Sequence, residues 1–380
     1  MIKREILQSL QKSKKSVLLL GPRQTGKSTL INSLSPELVI NLAAEKNYLA
    51  FLRNNQELES ILDRKKPKTV FIDEVQRIPS ILNTIQAIID QKSKVKFYLT
   101  GSSARKLRRG SANLLPGRLH SYQLGGLTAS ELGQQFDVMT ALKIGTLPGH
   151  YLETDQREAV RTLRSYSTTY LKEEIQAEAL TKNLEGFTRF LSVACAYSGQ
   201  HIDYTKISNL AQVSRTSIIR YFEILQDTLL LESVYPFQTD SVRRLIQHPK
   251  IYFFDCGVLN ALLENFHVSP DRIGFLFENL VYSQIRSSGY AADKDLQFFS
   301  YRTEHNAEID MIIKLDGEIF AIEVKATKGI KDIDTRGFKS FEEVYTKKVK
   351  KIIVHMGPTD KSNNGIELLT LPSLLKEIGL

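Results

Sequence analysis

Residues 16–34 read SVLLLGPRQTGKSTLINSL. A short apolar run, Val17 to Leu20, leads through Gly21-Pro22-Arg23-Gln24-Thr25-Gly26-Lys27-Ser28 into an amphipathic helical segment. This is G-x-x-x-x-G-K-[ST] between a strand and a helix, the context in which the pattern binds phosphate. The glycines let the backbone curl until its amide N–H groups point inward at a β-phosphate, beside a helix N-terminus. Lys27 is then placed to reach the β- and γ-phosphates and the Ser28 hydroxyl to ligate Mg²⁺. ATP and Mg²⁺ are the expected cofactors, held by the loop from Gly21 to Thr29.

Outward from the loop, KTVFIDEVQRIP (68–79) supplies a partner strand. Val70, Phe71 and Ile72 read as a buried parallel strand ending in Asp73 and Glu74. Asp73 is expected to hold the magnesium and Glu74 to polarise the attacking water, since hydrolysis wants a base where a mere switch does not. Gln76 either orients water or caps the strand. VKFYLTGSS (95–103) is another buried strand, with Thr100, Ser102 and Ser103 at its end as candidate sensors of the γ-phosphate. LVINLA (38–43) and HSYQLGG (120–126) complete an expected five-stranded parallel sheet, its polar strand ends on the carboxyl edge where open α/β sheets bind ligands.

With these residues the N-terminal third resembles the AAA-type branch of P-loop ATPases. Within it, GPRQTGKST, FIDEVQRIP, YLTGSSARKL and LLPGRL are similar to a bacterial and archaeal family of predicted ATPases with a C-terminal domain of formerly unknown function. The resemblance implies an arginine finger at Arg118, serving the ATP of a neighbouring subunit in a homo-oligomer with shared sites. The other reading of Arg118 is a surface arginine or a phosphate contact elsewhere.

A chain of 380 residues exceeds one hydrophobic core, and three domains are expected: 1–135 for the ATPase, 136–240 for a helical lid and winged helix, and 241–380 for the end of the chain. No apolar run approaches the roughly 20 residues of a membrane span. Two cysteines far apart, Cys195 and Cys256, suit a reducing cytoplasm. The net charge of +9 gathers in ARKLRRG (104–110), KKVKK (347–351) and around Arg243 and Arg244. It favours a polyanion such as duplex or branched DNA as partner, or else is solvated surface.

In the middle, residues 202–237 read as helix, tight turn, helix and strand. Ile207, Leu210 and Ala211 are expected to face a core, and Ser214 to cap a second helix lined by Ile218, Ile219, Phe222 and Leu225. Such a winged helix would offer Arg215, Thr216, Ser217 and Arg220 to a DNA groove, or serve as a hinge.

Near the end, EIFAIEVKAT (318–327) alternates as a strand with one buried face, Phe320, Ile322 and Val324, opposite Ala321, Glu323 and Lys325. Asp316-Gly317 before it is a two-residue hairpin signal, pairing Leu315 with Glu318, Ile313 with Phe320 and so Asp310 with Glu323. Two carboxylates opposite each other repel, which leads to the expectation of a Mg²⁺ or Mn²⁺ bridging Asp310 and Glu323, with Lys325 stabilising the transition state. The arrangement resembles the PD-(D/E)XK nuclease core, with Asp310 as first acid, Glu323-Val324-Lys325 as E-x-K and Glu278 as the upstream helical glutamate. The expected fold class is thus α/β: a P-loop AAA-type parallel sheet, a helical and winged-helix middle and a restriction-endonuclease-like α/β end. The function implied is a Mg²⁺-dependent ATPase coupled to a metal-dependent DNA endonuclease. The alternative is an ATP-operated switch or DNA-binding module whose nuclease-like fold is non-catalytic.

Overall fold

A computed structural model describes residues 2–54, 56–91, 94–102, 117–177, 183–238, 248–329 and 334–380. Ser103, the basic run at 104–110, Arg243 and Arg244 lie outside them. Where the sequence suggests three domains, the chain forms two compact units, Met1–Gly125 with Asp227–Leu229, and Gly126–Gln226 with Leu230–Leu380. The expected middle and end are one body: Gln284 Oε1 accepts the Ala129 N–H at 2.8 Å, and Asn260 Nδ2 donates to the Leu142 carbonyl at 2.8 Å.

The first unit holds β1 (Ser16–Leu20), β2 (Leu38–Asn41), β3 (Thr69–Asp73), β4 (Lys96–Gly101) and β5 (Leu119–Gln123) in the order β2-β3-β4-β1-β5. All pairs are parallel. The strands read as unbroken apolar runs because both faces are covered: Leu18, Val70, Ile72 and Leu99 enter one core, Val17, Leu19, Phe71 and Tyr98 the other. The register, Leu20 beside Gly101 and Asn41 beside Asp73, brings the ends of β1, β3 and β4 to one edge. Gly21 starts the loop where no side chain fits, since a Cβ there would stand 2.3 Å from the Leu124 carbonyl oxygen.

The second unit is built on β8 (Leu296–Arg302), β9 (Glu308–Leu315), β10 (Glu318–Lys325), β11 (Lys350–His355), β12 (Lys361–Asn363) and β13 (Ile366–Leu369). They form a mixed sheet in the order β12-β13-β11-β10-β9-β8. A smaller antiparallel ladder pairs β6 (Leu231–Val234) with β7 (Lys250–Phe253). The Asp316-Gly317 bend has φ of 51° and 85°, as a type I′ turn requires, and the ladder runs from Leu315–Glu318 to Met311–Ile322.

Two expectations for this unit fail. β10 does not have one wet face. Ile319 through Ile322 are all buried, with Ile319 and Ala321 packed in a cluster containing Phe338 and Phe341, and the helix Ile273–Ala291 lying against the strand as well. Leu210 does not face a core but is 53% exposed, whereas its neighbours Ile207 and Ala211 are buried. The helix Tyr204–Ala211 turns through Ser214, whose Oγ accepts the Ser217 N–H at 3.3 Å, into the helix Arg215–Asp227. Arg215, Thr216 and Arg220 are exposed there, and Ile218, Phe222 and Leu225 are buried.

Candidate functional site

The P-loop folds around its own lysine. Lys27, 5% exposed, donates from Nζ to the carbonyls of Gly21 (2.9 Å) and Pro22 (2.8 Å). Burial pushes its pKa down to about 8, against the pull of Glu74 and Asp73 and with the help of Arg23. Thr25 Oγ1 donates to the Pro22 carbonyl at 3.0 Å, and Arg4 ties the Thr25 and Gly125 carbonyls at 2.9 and 3.0 Å. Arg4 escapes a reading of the motif because it lies upstream of the first strand. Gln24 and Gly26 take left-handed φ of 63° and 91°, so the loop turns as its glycines suggest. Thr29 is exposed on the helix that follows.

Beside the loop, Asp73 Oδ1 accepts the Ser28 hydroxyl at 2.9 Å and also the Thr100 hydroxyl. The Ser28 and Asp73 oxygens, next to a desolvated ammonium hydrogen-bonded to the Gly21 and Pro22 carbonyls, form a donor set that suits magnesium and the phosphates of a nucleotide. Bound there, Mg²⁺ would neutralise phosphate charge. Glu74 is held at φ 61°, ψ 47°, a conformation unfavourable for a residue with a Cβ, and its carboxylate accepts from Gln76 Nε2. The same Gln76 nitrogen donates to Ser102 Oγ at 2.9 Å, so Gln76 bridges Glu74 and Ser102 and is not a strand cap. Arg118 is turned to its own chain: Nε and one terminal nitrogen grip the Asp90 carboxylate at 2.8 and 3.1 Å.

In the second unit Asp310, Glu323 and Lys325 line one cleft of about 210 Å³, with Glu308, Asp334 and Arg336 at its walls. β9 carries one residue more than β8 between the pairs Phe299–Ile312 and Tyr301–Ile309, a bulge at Asp310 and Met311. Asp310 Oδ2 accepts the Val324 N–H at 2.8 Å, and Oδ1 lies 3.6 Å from Lys250 Nζ. Glu323 is paired at 2.9 Å with Lys325. Glu278 accepts from Tyr252 OH at 2.6 Å and Lys250 Nζ at 3.1 Å, and Glu308 lies 3.1 Å from the same nitrogen. Burial first, then Asp310, raises Glu278 and Glu323 to about 7 each. Burial alone would lower Lys250, but Glu278, Tyr252, Asp310 and Glu308 hold it well above an ordinary lysine.

Asp310, Glu323 and Lys325 thus come together at one cleft, with Glu278 joined to Asp310 through Lys250. The expected metal between Asp310 and Glu323 rested on two carboxylates with too little positive charge near them, and each has a protein cation of its own. Among the described residues no three His, Cys, Asp or Glu side chains converge as a metal site. The residue missed is Lys250, in an otherwise apolar strand, KIYF. Tyr301, on the neighbouring β8, is buried and donates its hydroxyl to the Ser340 carbonyl at 3.0 Å, a structural role.

Residues 13–133 match an AAA domain family (AAA_14), 135–269 a domain of unknown function (DUF8612) and 273–374 another (DUF4143). The first match and the sheet order make the N-terminal unit an AAA-type P-loop ATPase domain. The uncharacterized proteins Mb2031c of Mycobacterium bovis and Rv2008c of Mycobacterium tuberculosis are each 25% identical over 319 residues, 82% of this chain and 70% of theirs. Among solved structures, a Pif1 helicase involved in unwinding forked double-stranded DNA aligns at 15% identity over 48% of this chain and 59% of its own, with a TM-score of 0.27. The replication initiator DnaA, bound to AMPPCP and single-stranded DNA, aligns at 12% identity over 58% and 85%, with a TM-score of 0.28. Scores of this size carry no conclusion about this chain.

Proposed function

We propose that the chain is a Mg²⁺-dependent ATPase that couples nucleotide turnover to work on nucleic acid. The observation that carries the enzymatic part is the joined set Lys27, Ser28, Asp73 and Thr100, with Glu74 next in the chain. Lys27 and the loop amides hold the phosphates, Ser28 and Asp73 the magnesium, and Glu74 accepts a proton from water once Gln76 releases it. Glu74→Gln removes the base and keeps the binding groups. ATP should still bind, with turnover down on the order of 10²–10³-fold. Unchanged turnover would take Glu74 out of its role. The nucleic-acid part is supported by the net charge of +9 and by Arg215, Thr216 and Arg220 exposed at the start of a second helix after a tight turn. Duplex binding that falls steeply with salt, and falls further in Arg215→Ala/Arg220→Ala, tests it.

A second reading, phosphodiester cleavage at the C-terminal cleft, is favoured by the convergence of Asp310, Glu323 and Lys325 beside Glu278. Its test is nicking of DNA in Mg²⁺ or Mn²⁺, lost in Asp310→Ala while ATP turnover continues. Equal behaviour of the two proteins leaves the cleft as a non-catalytic module worked by the ATPase.

A further inference from the structure

Lys250 begins β7, its side chain 2% exposed, and three carboxylates from other elements surround its ammonium: Glu278 at 3.1 Å, Glu308 at 3.1 Å and Asp310 at 3.6 Å. A fourth group points into the same cluster. His201, its side chain 7% exposed, has Nδ1 2.8 Å from the His248 carbonyl. A carbonyl only accepts, so the proton sits on Nδ1 and Nε2 of the neutral ring is a lone pair. That Nε2 has no hydrogen-bond partner and lies 3.8 Å from Glu308 Oε1. An imidazole lone pair and three carboxylates gather around one point; Arg302 Nε reaches only Glu308 of these, at 3.5 Å, so a cation shared by all three must lie among them. The cation present is an ammonium on a four-carbon stem.

We infer that Lys250 is a tethered cation standing in the place of a divalent metal, so that the cleft is latched metal-free for as long as the lysine stays. The carboxylates are held around the ammonium and, among the described residues, do not close on one another as a metal site. The latch is carried by the β6–β7 ladder, where Lys250 pairs with Val234, and that ladder follows directly on the helix Arg215–Asp227. Lys250 also forms a bridge with His201, so the lysine and the imidazole move as one backbone unit. The inference goes beyond both readings above, because it concerns which cation holds the cluster and not what the cleft cuts.

Titration of the nucleotide-free full chain with Mn²⁺, read by its spectroscopic signal and by melting temperature, tests it. Wild type should show no Mn²⁺ binding that depends on Asp310. Lys250→Met should gain one Mn²⁺ per chain, lose it again in Lys250→Met/Asp310→Asn, and melt several degrees higher with the metal. Lys250→Met removes the cation that three acids share, leaving Arg302 near Glu308 alone. If it does not fold, Lys250→Met/Glu308→Gln removes one charge, keeps Glu278, Asp310 and His201, and carries the same titration. If neither folds in metal-free buffer, folding restored by Mn²⁺ supports the latch and folding restored by nothing overturns it. Two other results overturn it: wild type binding Mn²⁺ at Asp310 as tightly as the variant, or a folded variant gaining no Asp310-dependent site. Mn²⁺ gained without any cut DNA leaves the latch standing and removes the cleavage reading.

Discussion

Lys27 shows how a single buried group sets the chemistry of the first unit. Its pKa of about 8, against 10.5 for an ordinary lysine, is a net cost on the charged form of about 3 kcal/mol, burial outweighing the pull of Glu74 and Asp73. That cost is fully present below pH 8 and fades as pH rises through 8 to 10.5, where the unfolded chain holds the proton and the folded one does not. A bound triphosphate restores the missing counter-charge and should bring the pKa back up. At pH 8 nucleotide binding should therefore take up about half a proton per site, visible as a binding heat that varies with the ionisation enthalpy of the buffer. Lys27→Arg, charged at every accessible pH, should bind more weakly and take up none. A wild-type heat independent of buffer at pH 8 would show that Lys27 keeps its proton throughout. Part of this residue-scale picture is readable without coordinates, because phosphate chemistry fixes which residue types must stand together in a short loop. Lys250 is not readable in that way. Its partners come from positions 278, 308 and 310, and nothing local to KIYF announces them.

The hairpin between β9 and β10 carries the same lesson at the scale of an element. Its register follows from Asp316-Gly317 because a two-residue turn with two positive φ values leaves only one way to pair the strands. The bulge at Asp310 escapes that logic, since it is set by the pairing of β9 with β8 on its other side. It falls at the residue whose carboxylate the Lys250 network holds. Two glycine substitutions separate turn geometry from close packing. At Gly317 a Cβ meets nothing within 4 Å, so Gly317→Ala should cost only the backbone strain of φ 85°, about 1–2 kcal/mol, and shift the melting temperature by a few degrees with ATP binding unaffected. At Gly21 the Cβ stands 2.3 Å from a backbone oxygen, which cannot yield without moving β5's exit, and Gly21→Ala should abolish nucleotide binding. Equal losses in the two variants would mean that the clash at Gly21 relaxes and that the loop tolerates it. A third test belongs to the helix Cys256–Leu262, capped by Asp255, which accepts the Val258 N–H at 3.0 Å and the Thr146 N–H at 2.7 Å. Asp255→Ala removes both and should destabilise the second unit by about 2–3 kcal/mol in denaturant unfolding. A shift under half of that would reduce the residue to a redundant cap.

For the molecule as a whole, the question is whether one chain is a complete ATPase. Arg118 stands just before β5, the place where the AAA resemblance puts a finger for the neighbouring subunit, yet here it holds Asp90 of its own chain with two hydrogen bonds. The pair is well exposed, so it is a weak tether that a triphosphate could outcompete. If sites are shared, Arg118→Ala and Lys27→Ala damage different halves of the same site. Each alone should be nearly inactive, the first for lack of a finger and the second for lack of a nucleotide. Mixed in equal amounts they should recover part of the wild-type turnover, because an Arg118→Ala subunit with an intact P-loop meets a Lys27→Ala subunit with an intact finger. Turnover per chain in the wild type should rise with protein concentration over the same range in which the subunits associate, and Asp90→Ala, which removes the carboxylate that holds the arginine, should shift that rise to lower concentration. No recovery in the mixture, together with turnover independent of concentration, would make the ATPase self-sufficient and leave Arg118 with a structural role, holding Asp90.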